Sequence, residues 1–301
     1  MSKATKIWLV VAASLVVLGI IMFGVIMSIM KWDFLKFGTV KYETNTHEIS
    51  EGFSNVSIKT ATAAITFLPS ANGKIKVVCY EESKMKHDVN VENDTLVINK
   101  TNNKKWYDHI GINVGSPKIT VYLPEGEYGS LIVKDSTGDV EISEKFKFES
   151  IDITVSTGDI KLSDISAGAI DLSTSTGHII ASDIICEGDL NIKVTTGKTK
   201  LSNVECNSLT STGSTGDLSL TSVIVSERID IKRDTGDVTF DGCDAGELHI
   251  VTDTGDVKGT LLSEKVFIAQ TDTGRRDLPK TTSGGVCEIT TDTGNIIIKI
   301  K

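Results

Sequence analysis

Nine glycines recur at a nearly constant spacing along the chain, and this spacing limits the fold more than any other feature. Each glycine closes a three-residue motif that reads S-T-G, T-T-G or D-T-G. Successive glycines are 20, 19, 20, 19, 20, 19, 19 and 20 residues apart. A repeat of this length is typical of a solenoid, in which each repeat forms one rung stacked on the next. The glycines are Gly138, Gly158, Gly177, Gly197, Gly216, Gly236, Gly255, Gly274 and Gly294.

The D-T-G form of the motif also occurs in aspartic proteases, where two such carboxylates face each other and activate one water. In this chain it occurs at Asp234, Asp253, Asp272 and Asp292, in register with Ser or Thr in the other repeats. A catalytic carboxylate could not be exchanged for a hydroxyl group in this way. The periodic setting therefore favours a structural turn over a protease site.

The residues on both sides of each glycine alternate between apolar and polar side chains. Apolar residues stand seven, five and three positions before the glycine and two, four and seven positions after it. This period of two predicts that each repeat is a strand, a tight turn, a second strand and a looser turn. The predicted inward residues include Ile151, Ile153, Val155, Ile170, Leu172, Thr174, Leu190, Ile192, Val194, Ile229, Ile231, Leu248, Ile250, Ile160, Leu162, Ile165, Ile179, Ala181, Ile184, Leu218, Leu220, Val223, Val238, Phe240 and Cys243.

The tight turn itself fits type II geometry, because the third residue of such a turn needs a positive φ that glycine adopts without strain. One repeat cannot bury its apolar face alone, whereas parallel rungs about 4.8 Å apart place like residues above like. The sequence therefore predicts an all-β fold, a single-stack β-solenoid of two-strand rungs of 19–20 residues, preceded by one N-terminal transmembrane helix.

The N-terminal part of the chain contains a long apolar stretch. Residues 7–30 form 24 consecutive uncharged positions, enough to cross a bilayer and longer than the usual core of a signal peptide. A cleaved secretion signal is the alternative. Lysines flank both sides, so charge bias decides little, and we expect the C-terminal domain to be extracytoplasmic. The expected segments are a tail at 1–6, the transmembrane helix at 7–30, a juxtamembrane linker at 31–39, an irregular β-rich start of the solenoid at 40–130 and the regular repeat solenoid at 131–301.

The irregular segment contains one recognisable repeat and one long loop. The stretch VSIKTATAAITF follows the rung pattern with Ala63 in place of the glycine, which predicts a degenerate first rung. Residues 99–116 are expected to leave the stack as a loop. Its Trp106 and Tyr107 form either a recognition patch or, the interpretation we favour, an aromatic cover over one end of the core.

The cysteines of the chain do not form a disulfide framework. Cys243 and Cys287 fall on inward positions, where cysteine behaves as a small apolar residue. Cys186 and Cys206 occupy equivalent positions on adjacent rungs. A disulfide bond between them is therefore an alternative, although parallel side chains disfavour it. No cysteine or histidine spacing resembles a zinc site.

Stacked carboxylates are the one feature that points to a metal. Asp234 and Asp253 share a row before the glycine, and Asp237 and Asp256 share a row after it. Rows of like charge about 4.8 Å apart attract Ca²⁺, which takes several oxygen ligands. Each carboxylate can instead accept hydrogen bonds from turn N–H groups while it faces water. These four residues are therefore weak calcium candidates, and no cofactor is expected.

Several stretches of the sequence resemble the bacterial putative-adhesin family. They are SNVSIKTATAAITFLPSANGKIKVVCYEE, ITVYLPEG, the S-T-G-D repeats and the closing LPKTTSGGVCEITTDTGNI, within residues 40–301. The resemblance implies a β-strand-repeat domain of unknown function, often membrane-attached in Gram-positive bacteria, with no catalytic residues to transfer. The eighth repeat departs from the pattern, because Arg275 and Arg276 follow its glycine and Arg276 takes an inward phase.

Net charge and composition limit the classes of function that this chain can have. The net charge of −9 argues against a nucleic-acid partner, whose phosphates would be repelled. We expect a non-enzyme that binds or displays at the cell surface, with a protein or cell-wall glycan as partner. The alternative is an accessory or regulatory protein of a cell-envelope stress system. A glycan-acting β-helical enzyme is the weaker alternative, because aromatic residues make up only 6% of the chain and sugar sites need them.

Overall fold

The structure is a computed structural model that describes residues 2–32, 40–101 and 115–301. It begins with one helix, α1, at Lys3–Ile29, four residues earlier than the start of the predicted apolar segment. Ser2 caps the helix by accepting a hydrogen bond from the Thr5 N–H at 3.2 Å. Within the described residues this is the one helix long and apolar enough to cross a membrane, and a signal sequence has the same properties.

The rest of the described chain is almost entirely β-strand, as the sequence predicts. Several strands run through the looser corner of a rung without interruption, so one strand can cover two sides of the solenoid. The strands are β1 Tyr42–Ile49, β2 Asn55–Lys59, β3 Ala64–Pro69, β4 Ile75–Glu82, β5 His87–Glu92, β6 Thr95–Lys100, β7 Lys118–Leu123, β8 Glu127–Thr137, β9 Val140–Thr157, β10 Ile160–Thr176, β11 Ile179–Cys186, β12 Asp189–Thr196, β13 Thr199–Thr215, β14 Leu218–Thr235, β15 Val238–Thr254, β16 Val257–Leu261, β17 Lys265–Thr273, β18 Arg276–Asp277, β19 Gly285–Thr293 and β20 Ile296–Ile300.

These strands wind into one continuous sheet around an aliphatic core, with two flanks that meet at the glycine turns. The pre-glycine flank, the side that leads into each glycine, has the order β5-β6-β2-β8-β9-β10-β12-β13-β14-β15-β19-β17. The post-glycine flank has the order β1-β4-β7-β3-β9-β10-β11-β13-β14-β15-β16-β20-β18. Neighbouring strands are parallel except at the N-terminal edges, where β5 pairs with β6, and β4 with both β1 and β7, in antiparallel fashion. The predicted β-solenoid is confirmed.

The predicted inward residues form the core. Every residue in the list of predicted inward residues, from Ile151 to Cys243, is at most 2% exposed, whereas Arg276, also in an inward phase, is exposed. The degenerate first rung is also present, since Ala63 is buried between β2 and β3, and residues on both sides of it pack in the same core. Most of the predicted loop at 99–116, including Trp106 and Tyr107, lies outside the described residues.

A bend in the backbone explains why the apolar residue that comes after the fourth position beyond each glycine is the seventh and not the sixth. The sixth residue after the glycine has a positive φ of 52° to 62° in five successive rungs, with Asp, Asn, Ser or Gly at that position. A left-handed residue at this point shifts the pleat by one, so the next side chain to face inward is the seventh. These residues are Asp164, Asp183, Asn203, Ser222 and Gly242.

The rungs at both ends do not stack in sequence order. At the C-terminal end β19 pairs with β15 on one side and β17 on the other, so the last rung lies inside the eighth. At the N-terminal end β2 lies between β6 and β8, and β3 lies between β7 and β9. The first and last rungs of the chain are therefore each enclosed by two others.

The interleaved C-terminal end accounts for the irregular eighth repeat. Its rung, formed by β17 and β18, is the outermost one, so one side of it has no further strand in the described chain. Arg276 is exposed there, and its Nη1 donates to the carbonyl oxygen of Ala269 at 2.8 Å. This hydrogen bond joins the two flanks across the end of the core. A terminal rung can hold an arginine at this position because it has water on one side.

Candidate functional site

The glycine turns form a continuous row along one edge of the solenoid. The N–H of Gly177 donates to the carbonyl oxygen of Thr196 at 3.0 Å, and the same bond recurs from rung to rung. A Cβ on Gly197 would overlap the carbonyl oxygen of Gly177, and this too repeats along the row. Eight of the glycines have φ between 131° and 159°, wider than the roughly +80° of a type II turn. The turn therefore departs from the predicted type II geometry.

The residues that follow the glycines form a hydrogen-bonded ladder. In most steps the side chain of one rung accepts the backbone N–H of the next, as in Asp159 to Asp139 at 2.8 Å and Asp256 to Asp237 at 2.9 Å. The backbone N–H of Asn295 lowers the pKa of the Asp256 carboxyl below its usual range. Lys258 lies 3.4 Å from Asp237 and 3.8 Å from Asp256. Calcium binding at these two predicted positions would have to compete with N–H donors and a lysine.

The aspartates of the D-T-G motif occupy the other side of the glycine row. Asp234, Asp253, Asp272 and Asp292 are all exposed. They stand one above another along a single edge, with Asp292 between Asp253 and Asp272 because of the interleaved end. This arrangement does not provide the pair of carboxylates facing each other across a cleft that an aspartic protease needs.

A groove of about 650 Å³ opens at the looser corner near the N-terminal end of the stack. Its apolar floor is formed by Tyr128 and Phe148, whose ring centroids are 5.7 Å apart. Its rim carries four carboxylates and one lysine, and Lys147 is paired with Glu127 at 2.9 Å. The lining is Ser54, Asn55, Asp94, Glu127, Tyr128, Gly129, Lys147, Phe148, Glu149, Gly168 and Glu187.

A charged side chain is buried inside the regular part of the core. Arg233, three residues before Gly236, is fully buried, and its Nη2 donates to Ser211 Oγ at 2.7 Å and Thr199 Oγ1 at 3.3 Å. Its Nε and Nη1 have no hydrogen-bond partner. The guanidinium occupies space left free by Gly213, where a Cβ would overlap Nη1. Burial lowers the pKa of Arg233 to about 10.

A second polar cluster is buried at the N-terminal end of the core. Cys79 and Glu81 face inward from β4, and His87 begins β5 on the opposite flank. Their ligand atoms lie within 4.8 Å of one another, and all three residues are buried. Burial, assisted by the charge of Glu81, raises the pKa of Cys79 to about 12. Burial also lowers the pKa of His87, although its hydrogen bond to Glu81 acts in the opposite direction.

Sequence reasoning missed both buried clusters, although each leaves a signal. Arg233 stands at an inward position, and Gly213 occupies the same position on the preceding rung. Cys79 and Glu81 are two residues apart on a strand, so they share a face, and His87 follows after a short turn. The signal is weak because a charged side chain on a predicted inward face can equally well indicate an exposed edge.

All the cysteines of the chain are free and buried. Cys186 and Cys206 lie on the adjacent strands β11 and β13 at the corner predicted for them. Burial raises the pKa of Cys206 to about 12 and that of Cys186 in the same direction. These thiols are therefore protonated and unreactive at neutral pH.

Comparison with known proteins agrees with this architecture. The sequence profile of the Toastrack DUF4097 family matches residues 53–239 and 187–301, which together cover nearly the whole solenoid. The chain belongs to this family. The predicted resemblance to the bacterial putative-adhesin family is thereby confirmed. Comparison with curated proteins gives no significant match.

Solved structures of the same fold include three proteins from Parabacteroides species. One is described as a putative lipid binding protein from Parabacteroides distasonis, with 14% identity and a TM-score of 0.55, covering 87% of this chain and 98% of that one. A putative adhesin from the same organism has 9% identity, a TM-score of 0.51 and coverages of 86% and 98%. A putative adhesin from Parabacteroides merdae has 10% identity, a TM-score of 0.50 and coverages of 87% and 98%. At these identities the likeness shows the Toastrack fold alone.

Proposed function

We propose that this Toastrack-family chain is a non-catalytic, membrane-anchored binding module whose ligand occupies the groove at the looser corner. The observation that carries the proposal is the groove itself, a concave surface with an aromatic floor on an otherwise regular stack. Concave sites with apolar floors and a few polar rim groups are where proteins usually bind ligands. The description of proteins with this fold as adhesins or a lipid-binding protein is consistent with such a role.

The charge of the groove selects the chemistry of the ligand. Asp94, Glu127, Glu149 and Glu187 give four negative charges, and Lys147 gives one positive charge, so the rim is negative by three. A basic segment of a partner protein complements this rim. Its lysine or arginine side chains would also contact the half-buried ring of Tyr128, to which cations are attracted. A neutral wall glycan would gain only the aromatic contact.

Site-specific photo-crosslinking in living cells tests this binding surface. A benzoylphenylalanine at Glu187, on the rim, is expected to give a discrete adduct with a protein, whereas the same residue at Lys200, exposed on the post-glycine flank, is expected to give none. Adding Glu149→Lys should abolish the rim adduct, because it reverses one of the charges that hold the basic partner. Glu141→Lys, an equal charge change at an exposed residue of the post-glycine flank close to the glycine row, should leave it unchanged.

The crosslinking result also separates the competing functions. Loss of the adduct in both charge variants, or equal adducts from the two crosslinker positions, would contradict the groove as the binding surface. An adduct that contains wall glycan instead of protein would contradict the basic partner. A partner that is itself an integral membrane protein would favour the alternative of a regulatory accessory protein over an adhesin.

We further propose that α1 remains attached and crosses the membrane once, with the solenoid outside the cell. The support is the length and apolar composition of α1 and the short connection from Ile29 to Tyr42, which bridges at most about 47 Å when extended. Such a connection keeps the N-terminal end of the stack, where β1 lies, close to the membrane surface.

Protease accessibility of whole cells tests this orientation. After removal of the wall, added protease is expected to degrade the solenoid and to leave a membrane-bound fragment that contains α1. A cytoplasmic marker protein should remain intact in the same sample. Complete protection of the solenoid until the cells are lysed would place it on the cytoplasmic side, and release of the intact domain into the medium would indicate a cleaved signal.

A further inference from the structure

We propose that Cys79, Glu81 and His87 form a zinc site that fastens the two flanks of the solenoid together at its N-terminal end. The three side chains provide a thiol sulfur, a carboxylate oxygen and an imidazole nitrogen, the donor types that zinc takes in proteins. Their ligand atoms lie within 4.8 Å of one another. Among the described residues, this is the one group of three such side chains brought so close together.

The geometry places a hydrogen bond where the metal would lie. Glu81 Oε2 and His87 Nδ1 are 2.7 Å apart, and both point toward the interior beside Cys79. Zinc would enter between these two atoms. The imidazole proton would then move to Nε2, the thiol proton of Cys79 would leave to solvent, and sulfur, oxygen and nitrogen would each bond to the metal. One proton is therefore released for each zinc bound.

The charges of the site suit a buried divalent metal. A thiolate and a carboxylate together carry two negative charges, so the complex with Zn²⁺ is neutral. Neutrality matters because a net charge inside the core would carry a large desolvation cost. Lys86, near the mouth of the cluster, is itself neutralised by Glu43 at 2.6 Å.

Neighbouring residues hold two of the ligands in place. Asn45 Nδ2 donates to Glu81 Oε1 at 2.7 Å, and the His87 backbone N–H donates to Oε2 at 2.6 Å, so the metal would use a remaining lone pair of Oε2. Thr60 Oγ1 lies 2.9 Å from His87 Nε2 and can accept a hydrogen bond from the Nε2–H when Nδ1 is coordinated. Such hydrogen bonds to the far atoms of ligands are a regular part of zinc sites, since they fix the tautomer and the orientation.

The fourth ligand would come from β1. His47 lies on the same face of β1 as Asn45 and is a diagonal neighbour of Cys79 across the β1–β4 pair. Diagonal neighbours in a sheet are roughly 7–8 Å apart, within reach of an imidazole. His47 Nε2 is buried and has no hydrogen-bond partner, so it is available for coordination. With His47 the set becomes one cysteine, one carboxylate and two histidines, enough for a tetrahedral site.

The position of the site explains what the metal would do. β1 and β4 end the post-glycine flank, and β5 ends the pre-glycine flank. A metal held by β4 and β5 would therefore link the two flanks across the open N-terminal end of the core. The site would raise the stability of the end of the solenoid from which the chain continues to α1.

Metal binding by the full-length chain in detergent tests the proposal. We expect one equivalent of zinc per chain, and Co²⁺ in its place should give the visible bands of a tetrahedral site together with a thiolate-to-cobalt charge-transfer band. Cys79→Ser should remove the charge-transfer band and weaken binding at least tenfold. Cys243→Ser, which alters another buried thiol far along the stack, should leave spectrum and stoichiometry unchanged. Ca²⁺ should not compete.

Thermal unfolding in the same samples keeps the test independent of a folding defect. Zinc should raise the unfolding temperature of the wild-type chain and of Cys243→Ser, and should not raise that of Cys79→Ser or His87→Gln. Folded wild-type chain that takes up no zinc at one equivalent would overturn the proposal. A cobalt spectrum that is unchanged in Cys79→Ser, or displacement of the metal by Ca²⁺, would overturn it as well.

Discussion

Replacing Gly197 by alanine is expected to unfold the middle of the solenoid. The φ of Gly197 is +141°, a conformation that costs an L-residue about 1–3 kcal/mol. The added Cβ would also overlap the carbonyl oxygen of Gly177, whose backbone is held by hydrogen bonds from the Gly177 and Ile179 N–H groups to the next rung. The rungs would therefore have to separate. We expect a loss of at least about 4 kcal/mol in the free energy of unfolding, measured by denaturant titration of the full chain in detergent.

Gly126→Ala is the matched control for this substitution. A Cβ added to Gly126 would have no atom within 4 Å, and this glycine has no positive φ. Alanine there should therefore change the free energy of unfolding by less than about 0.5 kcal/mol. Equal effects of the two substitutions would show that close stacking of the glycine row does not hold the rungs together.

The middle of the fold could be predicted almost completely from the sequence. The period of the glycines sets the height of each rung, and the alternation of apolar residues sets the side that faces inward. Even the move from the fourth to the seventh position after the glycine is visible in the apolar pattern. Its cause, a left-handed residue such as Asp164 or Asn203, becomes clear only from the backbone.

The order of the rungs at the two ends could not be predicted. Successive rungs carry nearly the same pattern, so β19 satisfies the hydrogen bonds of β15 as well as β17 would. Which rung pairs with which is therefore decided by the lengths of the connecting loops and by what the outermost rung must cover. These are tertiary effects, and neither has a signature in the period of the repeat.

The groove and the buried clusters escaped prediction for a related reason. The groove combines Ser54 and Asp94 with Glu127 and Gly168, residues that are distant in sequence and meet only because the first rungs interleave. His87 comes close to Cys79 and Glu81 because β4 and β5 lie on opposite flanks at the same end of the stack. The repeat pattern in the sequence predicts the regular rungs, whereas the groove and the buried clusters consist of residues that do not follow that pattern.

Removal of one whole rung is expected to leave a folded solenoid. Deletion of residues 178–197 joins Gly177 to Lys198, so β10 would pair with β13 in the register that β11 and β12 now hold. Inward residues stay inward, and the glycine row continues without a gap. Because each rung contacts only its neighbours, stability is close to a sum over rungs. The unfolding temperature should fall by only a few degrees, measured by circular dichroism of the full chain in detergent.

Removal of half a rung should have the opposite result. Deletion of residues 178–187 takes away β11 and leaves β12, so Gly177 is followed directly by the pre-glycine flank of the next rung. The post-glycine flank then lacks one level, and the hydrogen-bond partners of β10 and β13 on that flank are lost. Closing the gap would require a tilt that carries apolar side chains into water. We expect an insoluble or largely unfolded chain. If both deletions unfold the domain to the same extent, the rungs are not the independent stacked units that the glycine period indicates.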